Sequence, residues 1–207
     1  MKIQHAIVFL VAVFYGVSLS AIDAQEASVA EYAGILGAAD STEIQRIDAV
    51  NGLCTIAKSH FFLAGECITL LKTVYDSFND VGRREVFEAL SMIAIVQPSC
   101  ALECTEFIIS KLSMVNQSNY RAVVEALAAI GRVHLSRKEQ IKESILGFLN
   151  ARYENELPEY GKIALQTIDD AHRMRHEFSV SHVSHGESYG FSLCMHGWTA
   201  VGHLYPV

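Results

Sequence analysis

One pattern comes back along the chain: Ala, a branched aliphatic, two variable residues, then Ile or Leu. It reads Ala49-Val50-Asn51-Gly52-Leu53, Ala89-Leu90-Ser91-Met92-Ile93, Ala126-Leu127-Ala128-Ala129-Ile130 and Ala164-Leu165-Gln166-Thr167-Ile168. The anchor alanines are 40, 37 and 38 residues apart. A period of that size fits one helix-turn-helix unit, which buries its apolar face by stacking on copies of itself. An ordinary helical bundle is the competing reading, but four matched anchors are hard to obtain from unrelated helices. The expected fold is therefore all-α: an α-α superhelix of stacked helical hairpins, about 3.5 repeats of about 38 residues, with an irregular C-terminal tail.

The spacing predicts three A–B helix pairs and a fourth A helix. Residues 21–39 read as an N-terminal cap segment, with Val29, Tyr32, Ala33 and Leu36 at helical spacing. Asp40 with Glu43 resembles a capping box opening helix A1, which runs to about Lys58. Helix B1 carries the stripe Ala64, Cys67, Ile68, Leu71, Tyr75 and Phe78, ended by Asn79-Asp80 and Gly82. A2 covers about Arg83 to Val96 and stops near Pro98. Ser99 is the expected N-cap of B2, whose stripe is Ala101, Cys104, Ile108, Leu112 and Val115. A3 runs from about Tyr120 to His134, and Ser136 with Glu139 is a capping box for B3, with Ile141, Ile145, Phe148 and Leu149. Pro158 suits the first turn of A4, which continues to about His176. The B helices are aligned on Ile68, Phe107 and Ile145.

On period, helix pairing and the Ala-[Leu/Val]-x-x-[Ile/Leu] signature, residues 40–176 resemble HEAT or armadillo-like repeats. The resemblance is generic. It implies a scaffold that binds partners along an extended curved surface.

The ends differ in texture from the repeats. Lys2 followed by the apolar run Ala6–Tyr15 and the small residues Ser18 and Ser20 is the layout of a secretory signal peptide, assigned to residues 1–20. The run is shorter than the roughly 20 residues a membrane-spanning helix needs. A secreted, extracellular protein with no membrane span after signal removal is expected. Residues 177–207 lose helical periodicity and gain glycines, serines and histidines, reading as a tail of low order or as a C-terminal cap. Helix A4 then lacks a B partner, so self-association through the C-terminal end of the stack is expected.

Secretion directs attention to the cysteines. Cys54 lies in A1 and Cys67 in B1, on either side of the first hairpin turn, where they could bridge if their faces meet, and Cys100 and Cys104 are one helical turn apart. Pairing within the first hairpin, within B2 or across adjacent repeats all stay open, as does the reading of small buried apolar residues. The fifth, Cys194, is the odd thiol. Asn116-Gln117-Ser118 is a glycosylation sequon in an inter-repeat turn. His172 and His176 share a helix face, and with His182 and His185 form a candidate metal set. A histidine at a helix C-terminus also simply favours the dipole.

No P-loop, dinucleotide fingerprint or nucleophile elbow is present, so no cofactor and no enzymatic activity are expected. A net charge of −7 without a basic patch disfavours nucleic acid. The expected function is a binding protein whose B helices offer a concave surface to a protein or peptide partner. Glu66, Lys72, Glu103, Glu106, Lys138, Lys142 and Glu143 would face outward there. The second reading is a small-molecule or lipid carrier, or a metal-binding protein, with Phe61, Phe62 and Phe87 as candidate lining.

Overall fold

A computed structural model describes residues 25–154 and 156–183, the last eight of these by backbone alone. The described residues are helical and contain no strand. Helix α1 occupies residues 25–37. Then follow α2 (Glu43–Ser59), α3 (Phe61–Val74), α4 (Asp80–Val96), α5 (Ala101–Lys111), α6 (Tyr120–Val133), α7 (Lys138–Asn150) and α8 (Glu159–Val183), with short 3-10 turns between several of them. Two compact units divide after Arg173, and every contact below lies in the first.

The hairpins are α2–α3, α4–α5 and α6–α7, and each A helix packs directly on the next, α2 on α4 and α4 on α6. All four anchor alanines are buried, and so is every residue of the three B stripes. These stripes join the A-helix aliphatics in one continuous core. Burying a Leu or Ile there stabilises the fold by roughly 1.5–3 kcal/mol per side chain.

A hydrogen-bond ladder fixes the true register of the repeats. Gln97 Nε2 donates to the Lys58 carbonyl at 3.1 Å, His134 Nε2 lies 2.7 Å from the Ala94 carbonyl, and His172 Nε2 lies 2.7 Å from the Gly131 carbonyl. The carbonyl can only accept, so each ring carries its proton on Nε2. His60, Gln97 and His134 end α2, α4 and α6 in the same extended backbone conformation. With His172 they are spaced 37, 37 and 38 residues apart. In that register the equivalent of Ala89, Ala126 and Ala164 is Gly52, not Ala49. The glycine is needed because the Tyr32 ring of α1 occupies the space: a Cβ there would lie 2.3 Å from Tyr32 Cζ. Likewise the equivalents of Leu71 are Ile108 and Ile145, whereas Phe107 is half-buried and stacks edge-on against Tyr75 at 5.5 Å.

Several helix starts differ from expectation. Thr42, not Asp40, caps α2, in a capping box with Gln45. Neither Ser99 nor Ser136 caps a helix; 3-10 turns at Pro98–Cys100 and Leu135–Arg137 lead into α5 and α7 instead. Such turns satisfy first-turn backbone groups without a side-chain cap. Asn79 does not end α3 but caps α4, accepting from the Val81 and Gly82 N–H groups at 2.9 and 3.0 Å. Helix α8 continues to Val183, past the expected end near His176. The expected signal peptide and most of the expected tail lie outside the described residues. No described helix is long and apolar enough to cross a membrane.

Candidate functional site

The A helices carry a recess. A groove of about 750 Å³ is lined by Glu88, Ser91 and Met92 of α4, by Arg121, Glu125, Ala126, Ala129 and Arg132 of α6, and by Glu159, Tyr160, Ile163, Ala164 and Thr167 of α8. Small side chains let helices approach: Ala126 and Ala164 are buried in its floor. Beyond the groove, at the far end of α6, the backbone is packed against α8. A Cβ on Gly131 would lie 3.1 Å from Ile168 Cδ1.

The groove floor is apolar and its rim is charged. Met92 is 42% exposed and Ile163 is 52% exposed, and the partly exposed Ala129 shares this lining. At the rim, Arg84 pairs with Glu88 at 3.2 Å and Arg121 with Glu125 at 2.7 Å, both one helical turn apart. Arg132 and Glu159 form no ion pair among the described residues. The groove's hydroxyls are turned inward: Ser91 donates to the Glu88 carbonyl and Thr167 to the Ala164 carbonyl. The Tyr160 hydroxyl lies 3.2 Å from that of Tyr153. Burial, and then this bond, hold its phenol protonated well above the usual range. Such a surface can bind an apolar ridge flanked by charges of both signs.

The charged residues expected on the B helices are largely occupied by neighbours. Lys72 of α3 pairs with Glu103 of α5 at 2.7 Å. Lys138 and Lys142 of α7 both reach Asp169 of α8, at 2.7 and 2.8 Å. These pairs tie adjacent elements together. Glu66, Glu106 and Glu143 are exposed and form no ion pair among the described residues.

The four described cysteines are free thiols, so the expected disulfides are not formed. They occupy packing positions instead: Cys67 and Cys104 belong to the B stripes, and Cys54 Sγ points at the Ala89 carbonyl, 3.6 Å away, rather than at Cys67. Burial pushes the Cys67 thiol up to about 11 and that of Cys104 up to about 12, which keeps both protonated and unreactive. Cys100 is half-buried, and Cys194 lies outside the described residues.

Among the described residues no group of three potential ligands could hold a metal. His172 is buried, with Nε2 on the Gly131 carbonyl and Nδ1 without a hydrogen-bond partner among the described residues. The side chains of His176 and His182, and all of His185, lie outside the described residues. Asn116 is exposed, but its Nδ2 donates to Asp80 Oδ1 at 2.7 Å, and Ser118 Oγ donates to Oδ2 at 3.2 Å. The sequon's asparagine and serine side chains thus both bind the first residue of α4. Of the expected carrier lining, Phe87 is buried in the core, while Phe61 and Phe62 are exposed on the surface.

Reading the sequence alone missed both the groove and the ladder. The ladder had a signal, a polar residue two positions after Lys58, Ile95 and Arg132, but Gln alternates with His there. The groove had a weaker one, since Met92 and Ile163 interrupt the polar faces of their helices. Compared with known protein families, with curated proteins and with solved structures, the chain matches none.

Proposed function

We propose that this chain is a secreted, non-enzymatic helical-repeat protein that binds a peptide segment of a protein partner in the groove across α4, α6 and α8. The observation that carries the reading is the half-exposed apolar pair Met92 and Ile163 over an alanine floor, bordered by Arg121, Glu125, Arg132 and Glu159. An amphipathic helix laid there would bury its apolar ridge on Met92 and Ile163 and meet complementary charges on either side. Arg132 and Glu159, which form no ion pair among the described residues, are the charges that would discriminate among partners.

A small-molecule or lipid carrier is less well supported. It calls for an enclosed apolar cavity, whereas the walls here are charged and Ile163 is 52% exposed.

The test is selection of a displayed amphipathic-peptide library on the wild-type chain, with counter-selection on Met92→Glu/Ile163→Glu. Enriched sequences should carry apolar residues at i, i+3 or i+4, and i+7, and lose at least about tenfold in affinity for the double variant, the effect of desolvating a charge against apolar surface. Peptides that bind both forms equally would place recognition elsewhere.

A further inference from the structure

The turns that lead from each A helix into its B helix form one edge of the stack, and that edge is apolar and basic. The residue right after each ladder residue is apolar and exposed in three successive repeats: Phe61, Pro98 and Leu135. Phe61 is 75% exposed and Leu135 65% exposed. Phe62, Val96 and Leu102 add exposed apolar surface beside them. Packed helices lie about 8–10 Å apart, so three turns in register make a row roughly 20 Å long. The segments 58–62, 95–102 and 132–138 contain Lys58, Arg132, Arg137 and Lys138 and no acidic residue. The acids that follow them, Glu66, Glu103 and Glu139, belong to the B helices, and Glu103 is held by Lys72.

We propose that this edge docks on an anionic lipid surface, with Phe61, Phe62 and Leu135 entering the headgroup boundary and Lys58, Arg132 and Arg137 facing the lipid charges. Apolar side chains at protruding turn tips with cations beside them suit a flat amphipathic interface better than a peptide, which needs a groove. Charge complementarity points the same way. The opposite turns carry Asp40, Glu43, Asp76, Asp80, Glu154 and Glu156, of which Glu43, Asp76 and Glu156 are paired with Arg46, Lys111 and Lys162. Of the two edges, the one whose turns hold cations and no acid is therefore the one an anionic surface attracts, which orients the molecule.

The experiment places a fluorophore on the edge of the full chain. Phe61→Trp is made in a Trp198→Phe background and titrated with phosphatidylcholine vesicles, with and without phosphatidylserine. A second chain carries Gln117→Trp on the opposite edge. The expected result is a blue shift of the tryptophan at 61 with serine-lipid vesicles, at least about tenfold weaker without the anionic lipid, and no shift at 117. Adding Leu135→Ser should weaken binding about tenfold, and Arg132→Gln about fivefold. These residues are exposed, so the fold is retained, which circular dichroism checks. Three results would overturn the proposal: no shift at 61, whatever the apolar segment at residues 6–15 does to bulk binding; equal shifts at both edges; or a shift at 61 that needs no lipid and grows with protein concentration, which would assign the edge to a second copy.

Discussion

The two edges of the stack are made by the same helices entering and leaving their hairpins, yet they hold together in different ways. On the edge where B helices pass into A helices, side chains are tied across the turns. Arg46 lies 4.3 Å from the Phe78 ring centre, and Arg152 lies 4.1 Å from that of Phe148 while donating to the Leu112 carbonyl. Lys111 reaches both Asp76 and the Tyr75 ring. Asn116, Ser118 and Asn119 all bond to Asp80. On the other edge the ladder bonds, with the Lys138–Asp169 pair at the last step, link successive repeats, and the tips beyond them are exposed apolar groups. A turn whose side chains are spent on its neighbours contributes to stability. A turn whose side chains point outward contributes little and is free to meet a partner.

Two aromatic residues give this contrast its largest test. Tyr75 is buried against Phe87, with ring centres 5.1 Å apart, and Phe61 stands in solvent. Tyr75→Ala should cost about 3–5 kcal/mol in urea unfolding. Phe61→Ala should stay within about 0.5 kcal/mol. Comparable losses at the two sites would mean that the tip is packed rather than exposed. Alkali sharpens the same point. Burial pushes the Tyr75 phenol up to about 12. A raised folded value gives stability that is present below the ordinary phenol range, near pH 10, and is lost as pH rises towards 12. Tyr75→Phe should remove part of that alkaline loss.

The ladder comes next in size. His134→Ala leaves the Ala94 carbonyl without its side-chain partner, and Gln97→Ala does the same to Lys58. Each should cost about 1–3 kcal/mol, and the double variant more, because both bonds join neighbouring A helices. A loss below about 0.3 kcal/mol for both would reduce the ladder to a marker of register.

How much of this was legible beforehand depended on which residues repeat themselves. The B stripes were readable because every buried position is apolar at 3.6-residue spacing, from Ala64 to Phe78 and from Ile141 to Leu149. The first anchor slipped by three residues because Gly52 stands where later repeats have Ala, and only the Tyr32 ring explains the glycine. The capping box expected at Asp40 lies two residues on, at Thr42 with Gln45, because a sequence shows several residues that could cap; Ser136 misled because a sequence does not show that the chain enters through a 3-10 turn. Of the charges expected on the B helices, Glu66, Glu103, Glu106 and Glu143 are exposed, while Lys72, Lys138 and Lys142 are half-buried. Their pairing with Glu103 and Asp169 depends on distances between elements, which periodicity does not encode.

Smaller effects separate the edges further. Asp80→Ala removes the carboxylate that receives Asn116 and Ser118, and should cost about 1 kcal/mol. A glycan on Asn116 would compete for the same bond, so Asp80→Ala should raise site occupancy in a secreting host, as intact-mass measurement would show. Unchanged occupancy would mean that the bond does not shield the sequon. The smallest effect is at Asp169, whose carboxyl is held below the usual range by hydrogen bonds from Lys138 and then Lys142. A depressed folded value gives stability that is present above the ordinary carboxylate value, near pH 4, and is lost as pH falls through the folded one. Asp169 is about half exposed, so Asp169→Asn should cost less than about 1 kcal/mol at neutral pH. The difference from wild type should shrink as the wild-type carboxyl is protonated. A difference that persists in acid would mean that the asparagine disturbs packing rather than charge. The same variant also releases Lys138, at the start of α7, from its pair with Asp169. If the apolar edge meets anionic lipid, a substitution that slightly weakens the fold should tighten vesicle binding. Stability and affinity would then move in opposite directions, as expected when one edge serves the fold and the other serves a partner.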